Sequence, residues 1–531
     1  MRFVLVVSSL VAALAPAQAW GHGQPPGKPP ARVLRVGSYN GIPGPYKTVQ
    51  AAVDAAKPGD WILIGPGDYH EQGDRAHPDV ADVSGGVVVT TPGVHIRGMD
   101  RNGVVIDGTL PGAPSCSSVP GDQDPGISGR GRNGVLVFKV DAVSVENLTA
   151  CNFLDGSEGG GNQIWFNGGD GSGTIGMGPY FGAYLSATST YFEDGAPKGE
   201  YGIFVSNSKG PGAIAHTYAS NMADSSYYIG ACPDCNAWLS DGHAQNSALG
   251  YSGTNSGGHL VVASSEWDGN KTGISTNSQN NDDAPSPQDG ACPDDTTGLL
   301  GTNKCTYFIG NHIHDNNNPN VPASGSADLG PVGTGMVVSG GRNDTIVSND
   351  VENNGSWGLL LVPFPDTSNP PPPVANCAGG VANPTDPLLM FLGVTCYFND
   401  WGSEVKGNFL SNNGSFGNDT NGDLAEISDL HDPGNCWHDN FDPNGVTSTP
   451  PDLQTTNGTC GVPNHGAALT SQLSVQVICA SGLLGPCSGL PNNPGYPQST
   501  GVELLPLPTQ PSMRDPCAGV PKNPWCMRRG S

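Results

Sequence analysis

Apolar and polar residues alternate over short runs along most of the chain, and turns break those runs every twenty-odd residues. Near the start one segment follows a different rhythm. In "YKTVQAAVDAAKPGDWILIGPGDYHE", Tyr46 to Glu71, the residues Val49, Ala52, Val53 and Ala56 fall at i, i+3, i+4 and i+7. That is an apolar stripe on a short helix, which Thr48 can N-cap. Lys57-Pro58-Gly59-Asp60 stops the helix, and Trp61 to Ile64 predicts a buried strand before the turn "GPGD".

Further on, strand-like runs stack: "GIFVSNS" at 202, "YIGACPD" at 228, "YSGTNSG" at 251, "GISTNSQ" at 273, "GMVVSGG" at 335 and "GLLLVPF" at 358. The first steps are 26, 23 and 22 residues, and Gly335 to Gly358 is again 23. A period in the low twenties predicts a solenoid, whose repeats bury their apolar sides only against their neighbours. Between the runs lies a turn rich in Asn, as in "EWDGNKT" at 266, "IHDNNNP" at 313, "DVENNGS" at 350 and "FLSNNGS" at 409. Asn tolerates left-handed backbone and its amide can bond the amide stacked above, so these asparagines read as scaffold.

The coil period, the Asn turns and the opening segment resemble the right-handed parallel β-helix of the pectin-lyase-like superfamily, over roughly Tyr46 to Asn440. The resemblance implies an all-β fold: a single-stranded right-handed parallel β-helix solenoid with three short strands per coil and an N-terminal capping helix. An irregular C-terminal tail follows. The expected organisation is a signal peptide over 1–19, a Pro/Gly-rich segment over 20–45, the β-helix over 46–445 and a Pro/Cys-rich tail over 446–531, packed along the helix or partly disordered. Two insertions interrupt the stack, one from about Asn281 to Lys304 and one from Pro365.

Composition agrees with many tight turns. Gly 78 and Pro 48 among 531 residues, with 7% aromatic, argue against a helical bundle. The start of the chain combines Arg2, an apolar run from Phe3 to Ala15 and the small-residue pattern Ala17-Gln18-Ala19, a secretory signal too short to span a bilayer. A secreted protein, extracellular or periplasmic, without a membrane span and monomeric, is expected. In an oxidising compartment the cysteines read as disulfides between sequence neighbours: Cys116 with Cys151, Cys232 with Cys235, Cys292 with Cys305, Cys377 with Cys396, and three further pairs toward the C-terminus. A formal charge of -26 with only 22 Lys and Arg excludes a nucleic-acid partner, and a polyanionic substrate would need a cation such as Ca²⁺ to bridge acid to acid.

Two regions carry candidate chemistry. If Ile203, Ile229, Ser252 and Ile274 point inward, alternation turns Ser206, Asn255, Asn277 and Ser339 outward, with Tyr251 close by. That polar strip suits sugar hydroxyls, and equally suits a solvated sheet face. The second region is "SSEWDGNKTGISTNSQNNDD", residues 264 to 283, which gathers Glu266, Asp268, Lys271, Asp282 and Asp283. Some lyases of the resembled superfamily pair a lysine base with Asp-bound Ca²⁺. Lys271 would be the base and Asp268 its catalytic partner, with Asp282 and Asp283 binding Ca²⁺ and Trp267 stacking on a sugar; the bland reading is Asx turns and a solvated acidic pair. Asp241, His243 and His259 are the next candidates.

The "DFIFG" and "GRPW" motifs of pectin methylesterases, the "NTD", "DD" and "RIK" set of polygalacturonases and the "WiDH" of extracellular pectate lyases are missing. The expectation is therefore a protein acting on extracellular polysaccharide, as a lyase or C5-epimerase on uronate glycans. A non-catalytic β-helix for carbohydrate binding or surface adhesion is the alternative. A periplasmic accessory of copper-enzyme maturation ranks lowest, for want of a dense metal-binding cluster.

Overall fold

The computed structural model describes residues 31–72, 75–76, 84–172, 174–280, 306–367, 377, 380–428, 434–462, 471–490 and 492–527. The signal-peptide reading of 1–19 and the readings placed on Asp282, Asp283, Cys292 and Cys305 lie outside these residues.

The chain winds into a right-handed parallel β-helix. Each full coil makes three passes. In one coil the first pass is Ser225–Gly230, and the other two are the halves of Ala237–Gln245, which bends at Asp241 where φ reaches 50°. First passes stack into a 12-stranded sheet, here called the groove face. Second and third passes form two adjoining ladders of an 18-stranded sheet, the middle face and the ladder face.

Register explains why this sequence winds so. On the groove face Val135, Ile164, Ile203, Tyr227, Tyr251, Ile274, Met336, Leu359 and Leu424 stand one above another and are all buried. The middle face stacks Leu239, Val262, Phe308, Ile346, Val405 and Trp437 in the same way. On the ladder face the column is Ala244, Trp267, Ile313, Val351 and Leu410. Three apolar columns meet in one continuous core, each fully buried Leu, Ile or Val contributing roughly 1.5–3 kcal/mol.

This register corrects one frame read from sequence. Ser252 points outward and Tyr251 inward, because Tyr251 pairs with Ile274 while Ser252 pairs with Ser275. The expected inward positions of Ile203, Ile229 and Ile274 hold.

The corners are held as the Asn turns suggest. Asn270 donates to Asn316, Asn316 to Asn354 and Asn354 to Asn413, at 3.1, 3.2 and 3.1 Å. A second column runs Asn311, Asn349, Asn408 and Asn440.

The stack begins before residue 46: Val33–Val36 pairs in parallel with Trp61–Ile64. The helix Val49–Ala55 follows, with the Thr48 side chain accepting from the Ala51 amide. Its Gln50 side chain bonds both the N–H and the C=O of Val88, at the outer strand Ser84–Val89 of the groove face.

At the far end Ser471–Ala480 packs Leu473, Cys479 and Ala480 on Trp357, Leu360 and Val362 of the groove face. From there the tail runs back along the solenoid, meeting Asn320 and Asn246 at Glu503, Asn221 at Leu505, Asn102 at Gln510, and Ile42 at Trp525. Six disulfides join Cys116 to Cys151, Cys232 to Cys235, Cys377 to Cys396, Cys436 to Cys460, Cys479 to Cys487 and Cys517 to Cys526. Among the described residues no helix is long and apolar enough to cross a membrane.

Candidate functional site

Outward positions of the groove face change character along the stack. Phe204 and Tyr228 occupy successive rungs, followed by Ser252, Ser275 and Val337; one step along, Thr254, Asn277 and Ser339 form a parallel row. Above these positions an open cleft of about 280 Å³ runs over the sheet. One wall is the short turn Gly325–Leu329 with Gly330 and Pro331, and Phe364 also lines the cleft.

The floor at one end is aromatic. Phe204 lies between Trp165, stacked at 5.0 Å and 3°, and Tyr201, stacked at 4.4 Å and 21°; Tyr228 meets it edge-on at 4.7 Å. Phe204, Tyr201 and Trp165 are only half-buried, so ring area remains for a ligand. Aromatic faces beside hydroxyls and amides bind a sugar's C–H face and its hydroxyls together.

Two acids sit where this floor meets the turn before each strand. Glu200 and Asp224 precede Tyr201 and Ser225, which are paired across the sheet, so the two acids hold equivalent positions in successive coils. Asp224 lines the cleft and accepts from Tyr201 Oη at 2.7 Å and from Ser225 Oγ at 2.5 Å. Burial raises its pKa to about 6, although both hydrogen bonds pull the other way. Glu200 accepts from Ser324 Oγ at 2.5 Å, and burial, with Asp224 and Asp155 nearby, pushes it up to about 8. Burial likewise lifts the Tyr201 phenol far above its usual range, so its proton stays on oxygen and points to Asp224. A carboxyl that exchanges its proton near neutrality is the group acid–base chemistry needs.

The residues singled out in the sequence divide between the faces. Asn277 lines the cleft. Asn255 stands at the corner beside it with φ of 50°, exchanging hydrogen bonds with the Gln279 backbone. Tyr251 and Trp267 are fully buried in the core columns and present no surface to a substrate, which corrects their reading as sugar-binding groups. For Tyr251 the alternation holds and its phase is off by one residue.

The structure also parts Lys271 from Asp268. Asp268 points out of the ladder face, where Nε2 of His243 lies 2.6 Å from Oδ1 and Gln245 Nε2 donates to Oδ2 at 2.7 Å. Burial would raise its pKa, yet these hydrogen bonds hold it below the usual carboxylate range. Lys271 lies just past the next corner, where its ammonium donates to the Asp328 backbone carbonyl and, at 3.0 Å, to Asp328 Oδ1. It pins the cleft wall to the first pass of its coil; Thr272 adds a second tie through the Pro331 carbonyl at 3.0 Å.

The Ca²⁺ reading rests on Asp282 and Asp283, which lie outside the described residues. Ca²⁺ takes six to eight oxygen ligands; Asp268 faces an imidazole and an amide, and Asp224 is the one carboxylate in the described cleft lining. The acids that sequence reasoning missed did leave a signal. Glu200 and Asp224 each stand directly before an alternating run, 24 residues apart, in "EYGIFVS" and "DSSYYIG".

Comparison with protein-family models finds no match, and none of the curated proteins matches the chain. Among solved structures the chain is similar to the A-module of the Azotobacter vinelandii mannuronan C-5 epimerase AlgE4, at 15% identity and a TM-score of 0.39, covering 74% of this chain and 90% of that one. It is similar to a mannuronic acid specific polysaccharide family 6 lyase from human gut microbiota, at 12% identity and a TM-score of 0.36, over 77% and 83% of the two chains. Pectin methylesterase PemA from Erwinia chrysanthemi is similar at 12% identity and a TM-score of 0.30, over 77% and 93%.

Proposed function

We propose that this is a secreted protein that acts on an extracellular polysaccharide lying along the groove face, with Asp224 as the group that moves the proton. One observation carries the reading: a carboxyl held at a pKa of about 6 on the floor of an open cleft, beside a cluster of aromatic rings and a double row of hydroxyls and an amide. Six disulfides among the described residues support export to an oxidising compartment.

At neutral pH most Asp224 side chains are ionised, yet each is a stronger base than an ordinary carboxylate. Such a base can take the C5 proton of a uronate, the step that polysaccharide lyases and C5-epimerases share. Tyr201, donating to Oδ2, fixes the carboxylate's orientation. Lys271 is not needed as base; it holds the wall through Asp328. The described cleft lining contains no Lys or Arg, so hydroxyl contacts and ring stacking dominate sugar binding, and a uronate substrate would need a cation such as Ca²⁺ to meet its carboxylate.

Incubating the purified protein with pectate, alginate, glycosaminoglycans and neutral glycans, with Ca²⁺ and with chelator, tests this directly. Ultraviolet absorbance reports the unsaturated uronate of a lyase, proton NMR an epimerised product, and reducing ends a hydrolase. Turnover lost in Asp224→Asn supports the proposal and the readout names the class. Glycan binding without product supports the adhesion alternative, and neither binding nor turnover on the panel overturns the proposal.

A further inference from the structure

The ladder face carries a cluster that the groove does not use. Outward residues on successive rungs read His243, Glu266, His312 and Asp350 in one row, and Gln245, Asp268, His314 and Glu352 in the next. We propose that Glu266, His312 and His314 form a binding site for a borderline divalent transition-metal ion, with Zn²⁺ as the representative ligand.

Strand geometry makes the donor set. His312-Ile313-His314 places two imidazoles on one side of the sheet with the apolar residue between them buried, because side chains two apart share a face. The two rings lie 3.9 Å apart. Glu266 stands directly beside His312 on the neighbouring strand. One ligand atom from each of the three residues falls within 4.8 Å of the other two. Donors about 2.0 Å from a tetrahedral Zn²⁺ lie about 3.3 Å from one another; His314 Nε2 and Glu266 Oε1 are 3.3 Å apart.

Each imidazole also meets a further carboxylate, His312 placing Nε2 3.1 Å from Glu352 Oε1. With Nε2 toward Glu266, His314 turns Nδ1 to the Asp315 carboxylate at 2.9 Å. Ligating imidazoles in metal sites are typically held this way by a carboxylate on the far nitrogen, which fixes the tautomer and raises ligand basicity. Two imidazoles and one carboxylate suit Zn²⁺, Cu²⁺ or Ni²⁺ and disfavour the hard ions Ca²⁺ and Mg²⁺. Half of the Glu266 side chain and four-tenths of His312 are exposed, so an ion has an open path. Bound there, it would join two adjacent strands, Glu266–Asp268 and His312–His314, that lie more than 40 residues apart in the chain.

The test is calorimetric titration of ZnCl₂ into the full chain after chelator treatment and dialysis. The site predicts one equivalent bound with a micromolar or tighter Kd. Glu266→Gln, and His312→Gln with His314→Gln together, should each weaken binding at least 100-fold, while His216→Gln, which removes an exposed imidazole on another coil, leaves it unchanged. Asp315→Asn should weaken it about 10- to 100-fold and Asp315→Glu should restore most of that. The altered side chains lie on the surface, and circular dichroism checks that each variant folds. Wild-type protein that takes up no Zn²⁺ below about 100 µM, or a double-histidine variant that binds as tightly as wild type, overturns the site.

Discussion

The groove face and the ladder face are built on the same coils and the same core, yet Asp224 on one and Asp268 on the other are held in opposite ways. On the groove face the turn Gly325–Leu329 covers part of the sheet, and Asp224 and Glu200 are pushed up to about 6 and about 8 by burial. On the ladder face Asp268 meets an imidazole and an amide: His243 and Gln245 hold it below its usual range against burial, whereas burial and Glu352 raise Asp350. Asp315 and Glu266 raise His314, also against burial. A solenoid fixes which residues face outward; what covers each face decides whether they exchange protons or form ion pairs.

The most severe break in this comparison is chemical. Asp224→Asn should cut turnover of the polysaccharide by about 10²- to 10⁴-fold, the usual contribution of a positioned acid or base. Asp268→Asn should leave it within twofold, and steady-state rates on one substrate decide between them. Equal losses in both would erase the distinction between the faces.

Stability should show the same contrast with pH. A carboxyl whose folded pKa lies above its unfolded value stabilises fully below the unfolded value, and that contribution is lost as pH rises through the folded one. Glu200 and Asp224 therefore make the protein lose roughly 5 kcal/mol between pH 5 and pH 8, most of it through Glu200, seen as a falling melting temperature. Glu200→Gln should flatten that slope, and Asp268→Asn should not.

A smaller effect concerns binding. Phe204→Ala removes the central ring of the aromatic floor and should weaken glycan affinity about tenfold, near 1.4 kcal/mol, in calorimetric titration. The smallest separates a base from a wall anchor. Lys271→Ala should raise KM a few-fold and leave kcat within about threefold; a hundredfold fall in kcat would restore Lys271 as the base.

The sequence made the architecture readable because a solenoid is local. Its period, its Asn corners and its apolar columns all repeat within one coil, and Asn270, Asn316, Asn354 and Asn413 form the column that the turns announce. The site was less legible for two reasons. A one-residue slip reverses inside and outside, so a frame that points Ser252 inward turns out Tyr251, which lies in a core column; Trp267, placed by its turn and not by alternation, lies in another. The wall that shapes the cleft is a segment far along the chain from the strands it covers: Asp328 reaches Lys271 across 57 positions, and Ser324 reaches Glu200 across 124. No pattern within a coil records such contacts. Acid and lysine close together in "EWDGNK" looked like one site, whereas the corner between them sends Asp268 to one face and Lys271 to the next.

The measurement that bears most directly on the central claim is a crystal structure of Asp224→Asn with an oligosaccharide of the glycan the protein binds best. The account predicts sugar rings over Phe204 and Tyr228, with a reacting carbon or its hydroxyl about 2.6–3.2 Å from the side chain at position 224. Sugar seated on the ladder face, or on the groove face but away from position 224, would contradict it.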